Sequence, residues 1–227
     1  MIESGAVPAS IGTFCTAVLH TRDTAAAARF YNEIFGWTFE DDRFMLRGKR
    51  AAASVYDRAF DRWVPYFAAE TVRRGELSLH SDPEGAVFGT CTPDDPREVT
   101  LTQGPGSVWW VEVLSHDTDA LKVFYRDIFD WTYVDRAPFD PHPLYIFCMR
   151  GDQQATGILP IGPGWDQPAR WQVLFEVESL AQSSAAVLAA GGSHHFGPLE
   201  VTGICALTSF FDPQGALFFL VQPHRQA

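Results

Sequence analysis

Glu112 and Glu176 have the greatest potential for chemistry, because each interrupts a run of apolar residues. Glu112 lies within WVEVL, and Glu176 lies within WQVLFEVE. Two carboxylates in one partly apolar cavity have pKa values that are pushed apart, so that one group serves as an acid and the other as a base. The alternative is that they are solvated at a cavity mouth or form ion pairs with an arginine such as Arg150 or Arg170.

The histidines give weaker signals for catalysis or metal binding. His194 and His195 are adjacent, so on a strand they would point to opposite faces and could not easily share one metal. We expect them in a surface turn after Gly191 and Gly192. His142 lies in the proline-rich segment APFDPHPLY, which either folds over a cavity and contacts a ligand or extends into solvent as a hairpin.

Other common chemical signatures are missing from the sequence. The four cysteines are far apart and form no C-x-x-C motif, which predicts reduced, buried thiols in a cytoplasmic protein. The sequence has no G-x-S-x-G, no P-loop and no G-x-G-x-x-G after a predicted strand. Neither an acyl-transfer nor a nucleotide-binding site is therefore indicated.

Composition limits the classes of partner. Of the 227 residues, 46% are hydrophobic, which is enough for a sizeable core. The formal net charge of −11 argues against nucleic acid and anionic membranes as partners, because both would repel an acidic surface. We recognise no signal peptide and no apolar run long enough to span a membrane. A small molecule is the partner class that remains.

The chain contains two copies of the strand and helix patterns that must position these residues. RFYNEIFGWTF begins at Arg29 and VFYRDIFDWTY begins at Val123, with an offset of 94 positions. In both copies an apolar, strand-like run is followed by an aspartate suited to cap a helix and by an apolar stripe of helical spacing. Each half closes with an Asp-Pro-x-Gly turn and another apolar strand, SDPEGAVFGT and FDPQGALFFL. A fixed offset of this kind indicates duplicated architecture.

The two halves differ in one helix. The second half contains SLAQSSAAVLAAGG before its last strands, whereas the first half has only TVRRGELSLHS there, too short for a helix and a strand. We therefore predict an α+β fold of tandem βαβββ modules, with one helix lost from the first half. The expected boundaries are a domain at 1–95, a linker at 96–106 and a domain at 107–227. The other half or a partner subunit must cover the exposed sheet face, so a homodimer is plausible.

The doubled motifs carry a family resemblance. The pattern D-x-x-x-A-x-x-F-Y-x-x-x-F-G-W, followed by D-P-x-G-A-x-F, resembles the vicinal oxygen chelate superfamily. That group includes glyoxalase I, bleomycin-resistance proteins and extradiol dioxygenases, and this chain is similar to its bacterial tandem-domain members. The resemblance implies glyoxalase-like domains, each with a mixed sheet that curls around a cavity. Function does not follow from fold alone.

The resemblance also allows the metal positions of the family to be carried over. The positions that hold histidine or carboxylate ligands in metal-using members correspond here to Thr16, Val64, Gly89, Trp110, Gln172 and Phe219. Apart from the weak donor Gln172, these side chains are not credible ligands for a divalent metal. We therefore expect no metal cofactor, and keep a metal held by relocated ligands as a less favoured alternative.

Strand alternation from the same positions predicts which residues line the second-half cavity. The expected ligand-binding residues are Trp110, Gln172, Leu174, Leu217 and Phe219, with His142 from the proline-rich segment, and the candidate catalytic groups are Glu112 and Glu176. An apolar cavity with a few polar groups is typical of small-molecule sites. The sequence thus predicts a protein that binds an apolar or aromatic molecule without metal. The alternatives are a lyase, isomerase or cyclase that uses the two glutamates, or a metal-dependent lyase or dioxygenase.

Overall fold

Two mixed β-sheets, one from each half of the chain, form the framework of the protein. The structure is a computed structural model that describes residues 9–136 and 144–224. In chain order, the first half contains β1 (Phe14–Thr21), α1 (Thr24–Phe35), β2 (Thr38–Glu40), β3 (Arg43–Leu46), β4 (Lys49–Tyr56), β5 (Arg62–Ala68), β6 (Ser78–Ser81) and β7 (Val87–Cys91). The second half contains β8 (Val108–Ser115), α2 (Thr118–Phe129), β9 (Thr132–Arg136), β10 (Tyr145–Arg150), β11 (Gln153–Pro160), β12 (Arg170–Glu176), α3 (Leu180–Ala189), β13 (Ser193–Val201), β14 (Cys205–Phe211) and β15 (Leu217–Pro223).

The strand order repeats between the sheets, which confirms the predicted α+β tandem fold. The first sheet has the order β2-β3-β4-β1-β5-β7-β6, and the second has the order β13-β14-β15-β12-β8-β11-β10-β9. In each sheet the first strand of the half pairs in parallel with one neighbour and antiparallel with the other. In its described part, the first half lacks a counterpart of α3, as predicted, and also lacks a counterpart of the edge strand β13.

The repeated helices begin and end at equivalent positions. Asp23 and Asp117 each accept a hydrogen bond from the backbone N–H of the third helical residue, as expected of helix caps. Both helices end at a residue with left-handed backbone, Gly36 at φ 70° and Asp130 at φ 56°. Asp130 bears a side chain that is unfavourable there, and its carboxylate accepts a 2.8 Å hydrogen bond from Nη1 of Arg150.

One hydrophobic core joins the two halves, because α1 and α2 both lie between the sheets. The Tyr31 ring of α1 packs on Phe218 of β15 with 5.5 Å between centroids, and the Tyr125 ring of α2 packs on Phe88 of β7 at 5.3 Å. Residues of both sheets and both helices belong to a single buried cluster. The α2 helix packs over β7 as α1 packs over β15. The strand β6, the counterpart of the strand β14 that α3 contacts, is largely exposed and carries Leu79 at 40% exposure. That a second copy of the chain covers this face stays a prediction.

Two buried hydrogen-bond networks join the helices to the sheets, and each network connects one helix with the opposite half of the chain. Tyr31 donates to Oδ2 of Asp212 over 3.0 Å and accepts from Nε1 of Trp63 over 2.8 Å. The second network repeats this geometry with the aspartate of the first half: Tyr125 donates to Asp82 and accepts from Trp171. The aspartate of each Asp-Pro-x-Gly turn thus binds the helix of the other half. Among the described residues, no helix has the length and apolar character needed to cross a membrane.

Candidate functional site

The second sheet has a two-lobed cavity on the face turned away from the shared core. The polar lobe, about 340 Å³ in volume, is lined by Glu112, Leu114, Leu159, Gly164, Trp165, Asp166, Gln167, Arg170, Gln172, His195, Phe196, Leu199, Leu207 and Phe219. The aromatic lobe, about 250 Å³ in volume, is lined by Trp109, Trp110, Glu112, Tyr145, Phe147, Gln154, Leu159, Leu174, Val201, Ile204, Cys205 and Leu207. Three residues are common to both lobes, and Glu112 is the ionisable one among them.

Strand register brings five of the predicted residues to this cavity. Gln172 of β12 lies directly opposite Glu112 of β8, and Leu174 lies opposite Trp110. Leu174 is also paired with Phe219 of β15. Because alternate side chains of a strand share one face, these residues project from the same face of the sheet. Their roles in ligand binding stay a prediction.

Glu112 is buried at the junction of the two lobes, with 8% of the residue exposed. Tyr145 donates a 2.7 Å hydrogen bond to its Oε2, and Trp110 Nε1 donates to the Tyr145 oxygen over 2.7 Å. Burial raises the pKa of Glu112 to about 7, although the hydrogen bond from Tyr145 lowers it. A carboxyl group in this setting can gain or lose a proton near neutral pH, which is the property required of a general acid or base.

Arg170 places a positive charge in the polar lobe. Its Nη1 donates a 2.9 Å hydrogen bond to Oε1 of Gln167, while its buried Nε has no hydrogen-bond partner among the described residues. Burial lowers the pKa of the guanidinium, and no neighbouring carboxylate within the described chain offsets this. Burial, together with the charge of Arg170, also lowers the pKa of His195, so this imidazole is neutral at physiological pH.

Glu176 does not line the cavity with Glu112, so the structure does not bring the predicted pair of carboxylates together, and a catalytic role of Glu176 stays a prediction. Glu176 is the last residue of β12, and its Oε2 accepts a 3.1 Å hydrogen bond from the backbone N–H of Gly104 in the linker. It lines neither lobe. Strand alternation places Glu176 on the same face of the sheet as Gln172 and Leu174. At this end of β12, however, the linker residue Gly104 contacts its carboxylate.

Three other expectations need correction or cannot be placed. Leu217, the first residue of β15, packs against the apolar cluster beneath the cavity and lines neither lobe. His142 lies outside the described residues. His194 and His195 are not in a turn: both lie on β13, and of the two only His195 lines the polar lobe.

The site also contains residues that the sequence analysis did not predict to line the cavity. Arg170 lies two positions before Gln172, so the same alternation would have found it. Tyr145 and His195 come from β10 and β13, which are not adjacent to the central strands β8 and β12. Only the course of the whole sheet brings these two side chains to the cavity.

In the first sheet, the side chain of Tyr66 occupies the space that corresponds to the cavity of the second sheet. A Cβ added to Gly89 would lie 2.1 Å from the ring of Tyr66, which shows how closely that ring covers the strand. The Tyr66 hydroxyl is 2.9 Å from Nε2 of His20, whose Nδ1 is 3.0 Å from Oδ2 of Asp57. The polar groups on this face are bonded to one another, so this arrangement is a filled and internally satisfied site.

The residues of the second sheet do not fit a metal site of the vicinal oxygen chelate type. Trp110 and Phe219 flank Leu174 and offer no donor suited to a divalent ion, which leaves the amide of Gln172 and the carboxyl of Glu112. Within residues 9–136 and 144–224, no group of three or more His, Cys, Asp or Glu side chains could hold a metal ion. We therefore derive no chemical step through a metal.

Comparison with known proteins gives relatives that span nearly the whole chain. No family model matches the sequence. The chain is 30% identical to "Anthracycline biosynthesis protein DnrV" of Streptomyces peucetius, over 90% of both proteins. It is 26% identical to "Putative glyoxylase CFP32" of Mycobacterium tuberculosis, over 92% of this chain and 94% of that protein.

A solved structure shares the arrangement of the two sheets. The 2,3-dioxygenase LapB from Pseudomonas sp. KL28 superposes with a TM-score of 0.61 at 10% identity, and the match covers 97% of this chain and 96% of LapB. At this identity the likeness shows the fold alone. Together with the doubled motifs and the full-length relatives, it establishes that the chain belongs to the vicinal oxygen chelate superfamily of glyoxalases and extradiol dioxygenases.

Proposed function

We propose that the chain binds an extended aromatic small molecule in the two-lobed cavity of its second sheet, and that it does so without a metal. The observation that carries this proposal is the junction of the two lobes at the buried Glu112. A concave, mostly apolar cavity with few polar groups is the usual form of a small-molecule site. The volume of the polar lobe lies within the range of such sites.

The aromatic lobe supports a flat ligand. The rings of Trp110 and Phe147 lie 6.3 Å apart at 68°, and the Trp110 indole is held by its hydrogen bond to Tyr145. Fixed rings can stack on an aromatic ligand with little loss of side-chain entropy. The name of DnrV associates that relative with anthracycline biosynthesis. Anthracyclines are polycyclic aromatic compounds, and we extend this chemical class to the ligand of the present chain.

The donor set supports independence from metal. The carried-over ligand positions are occupied by an indole, a phenyl ring and an amide, which together do not make a divalent-ion site. We place this binding activity in the cytoplasm, because the four cysteines are buried free thiols, as suits a reducing compartment.

Calorimetric titration with a planar aromatic probe tests the proposal. Anthraquinone-2-carboxylate is a suitable probe, and Trp110→Ala and Phe219→Ala are the informative variants. We expect each variant to lose roughly tenfold or more in affinity, since each removes one stacking surface. Tyr56→Ala, an exposed aromatic of the first half, is the control and should keep the wild-type affinity. Unchanged affinity in both cavity variants would refute the location of the site.

Metal content is tested separately by plasma mass spectrometry on protein purified without chelator or nickel affinity resin. We expect less than about one tenth of an equivalent of iron, manganese, zinc or nickel per chain. About one equivalent would overturn the proposal of metal independence, because a stoichiometric ion requires a built site. It would then direct attention to Glu112 and His195 as ligands.

A second function is favoured by one specific observation, the burial of Glu112 where the two lobes meet, which raises its pKa to about 7. In this alternative the cavity catalyses a proton transfer in a lyase, isomerase or cyclase reaction, with Glu112 as the general base. A bell-shaped pH–rate profile with one limb near about pH 7, abolished in Glu112→Gln, would support it. An activity that is unchanged in Glu112→Gln would exclude this role.

A further inference from the structure

The charge of Arg170 in the polar lobe has no carboxylate partner in the described part of the chain. Arg97, a buried arginine of the first half, shows how the protein satisfies a guanidinium elsewhere. Its Nε and Nη2 donate to the two carboxylate oxygens of Asp95 over 2.8 and 2.9 Å. At Arg170, Nη1 donates to the neutral amide of Gln167, and the buried Nε is unpartnered among the described residues.

The carboxylates nearest in the fold do not neutralise Arg170. Glu112 lines the same lobe, but its hydrogen bond comes from Tyr145. Its neighbour across the sheet is Gln172, while Arg170 lies opposite Leu114, two pairs further along. Asp166 is exposed at the mouth of the lobe. Within the described residues, burial is the one influence that shifts the pKa of the guanidinium.

A cation that is partly removed from water and lacks a counter-charge is unfavourable, and a bound anion would relieve the cost. The planar guanidinium matches a carboxylate especially well, because two N–H groups can donate in parallel to its two oxygens. Arg170 lines the polar lobe, so its guanidinium is placed to donate to such a ligand. A bound carboxylate would supply the counter-charge that the described residues do not.

The remaining lining restricts the ligand to a single anionic group. Phe219, Leu114 and Leu207 give the lobe an apolar floor, suited to an aromatic body rather than to a second charge. Glu112 at the junction would repel a second anion when it is ionised. His195 lines the same lobe as Arg170, and as a neutral imidazole it adds hydrogen-bonding capacity but no second positive charge.

We propose that the polar lobe binds the carboxylate of an aromatic monoacid through Arg170, with the aromatic body directed past Glu112 into the aromatic lobe. This inference rests on the proposed function, because it names the chemical class of the ligand for the same cavity. The ligand is an amphipathic aromatic acid, and its neutral amide or ester should bind less well. Arg170 is thus a specificity-determining residue.

A matched pair of probes tests the inference. We would titrate the protein calorimetrically with anthraquinone-2-carboxylate and with the corresponding carboxamide, which has the same rings without the charge. For the wild type we expect the carboxylate to bind about tenfold or more tightly than the carboxamide, as a charge-assisted, bidentate hydrogen bond would give. In Arg170→Met, this ratio should fall to about one, while the affinity for the carboxamide changes less than about threefold.

Two further variants make the test specific. Arg170→Lys keeps the charge but loses the fork, and should retain part of the preference for the carboxylate. Arg126→Met is the matched control on α2, where the arginine is exposed and bonds to Asp127, and it should keep the full preference. Circular dichroism and thermal unfolding would establish that each variant is folded.

The outcomes separate this inference from the proposed function. Equal binding of both probes to the wild type, or a preference that survives in Arg170→Met, would overturn the role of Arg170 and leave the aromatic cavity in place. If neither probe binds with a Kd below about 1 mM, the proposed function itself fails, and the inference fails with it.

Discussion

The Tyr145 hydroxyl donates to Oε2 of Glu112 over 2.7 Å, at the point where the two lobes of the cavity meet. The Tyr145 hydroxyl oxygen in turn accepts a 2.7 Å hydrogen bond from Nε1 of Trp110. The three side chains therefore form a hydrogen-bonded chain from the aromatic lobe to the buried carboxyl group. Burial raises the pKa of Glu112 and the hydrogen bond lowers it. A change in the burial of Glu112 or in its hydrogen bond to Tyr145 would therefore change the pKa of this carboxyl group.

Replacing Glu112 by glutamine should make the protein more stable at high pH. The folded-state pKa of about 7 exceeds the unfolded value of 4.5, so the folded state binds the proton more tightly. The contribution of Glu112 to the free energy of unfolding is fully present below about pH 4.5, and it is lost as the pH rises through about 7. Glu112→Gln removes this loss, with a gain of up to about 3 kcal/mol in the free energy of unfolding above about pH 7.

Urea unfolding at several values between about pH 5 and 8 would measure this gain. The stability difference between Glu112→Gln and the wild type should increase across that interval. Glu33→Gln, at an exposed position of α1, controls for the substitution itself. A difference that stays constant with pH would contradict the raised pKa of Glu112.

Replacing Tyr145 by phenylalanine should raise the pKa of Glu112 further, because the hydroxyl that stabilises the carboxylate is removed. The Trp110 indole also loses its acceptor, so we expect a loss of roughly 1–3 kcal/mol in stability. The pH midpoint of tryptophan fluorescence should move upwards. Tyr133→Phe removes a hydroxyl that donates to a backbone carbonyl away from Glu112, and should leave the midpoint in place. A midpoint shared by wild type and Tyr145→Phe would argue against the hydrogen bond.

The repeat in the sequence was sufficient to predict the framework. A gap-free offset of 94 positions aligned both helices and both capping aspartates, since local capping and apolar spacing are encoded within a few residues. The shortened segment of the first half correctly indicated the missing helix. What covers the resulting face could not be predicted, because packing between halves depends on surfaces far apart in sequence.

The site was predictable only where neighbouring strands define it. Alternation placed Glu112, Gln172 and Phe219 on one cavity face, since the period of two fixes side-chain direction along a strand. It failed at Glu176, because the linker covers the end of that strand. Tyr145, which bonds to Glu112, lies on β10, which is separated from β8 by β11, so the pairing of neighbouring strands offered no signal for it.

The two tyrosines between the sheets should be equally important for stability. Tyr31→Phe leaves Nε1 of Trp63 without its acceptor and removes a donor from the buried Asp212, and Tyr125→Phe does the same in the other network. We expect each substitution to cost about 1–3 kcal/mol, measured by urea unfolding. Tyr56→Phe, at a residue that is 62% exposed, is the control and should cost close to nothing.

Both variants should also unfold in one transition, because the halves share a single core. The same midpoint is expected from far-ultraviolet circular dichroism and from tryptophan fluorescence. Separate transitions for the two halves in Tyr31→Phe would contradict a shared core. They would show instead that the two halves are independently stable domains.

Replacing Gly89 by alanine should disturb the filled site of the first sheet. The new Cβ would lie 2.1 Å from the Tyr66 ring, and the ring is buried and bonded to His20, so it cannot move aside easily. We expect a loss of about 3 kcal/mol or more in stability from overpacking. Gly162→Ala is the matched control, since no described atom lies within 4 Å of its added Cβ.

A double-mutant cycle with Tyr66→Ala would identify the cause of the Gly89→Ala loss. If steric conflict with the ring is responsible, Gly89→Ala should cost much less in the Tyr66→Ala background, with a coupling energy above about 1 kcal/mol. Additive losses would show that the alanine acts on the backbone of β7 and not through Tyr66. Strong coupling would mean that Tyr66 fills the first-half cavity, in which case the glycine is required at this position to admit the ring.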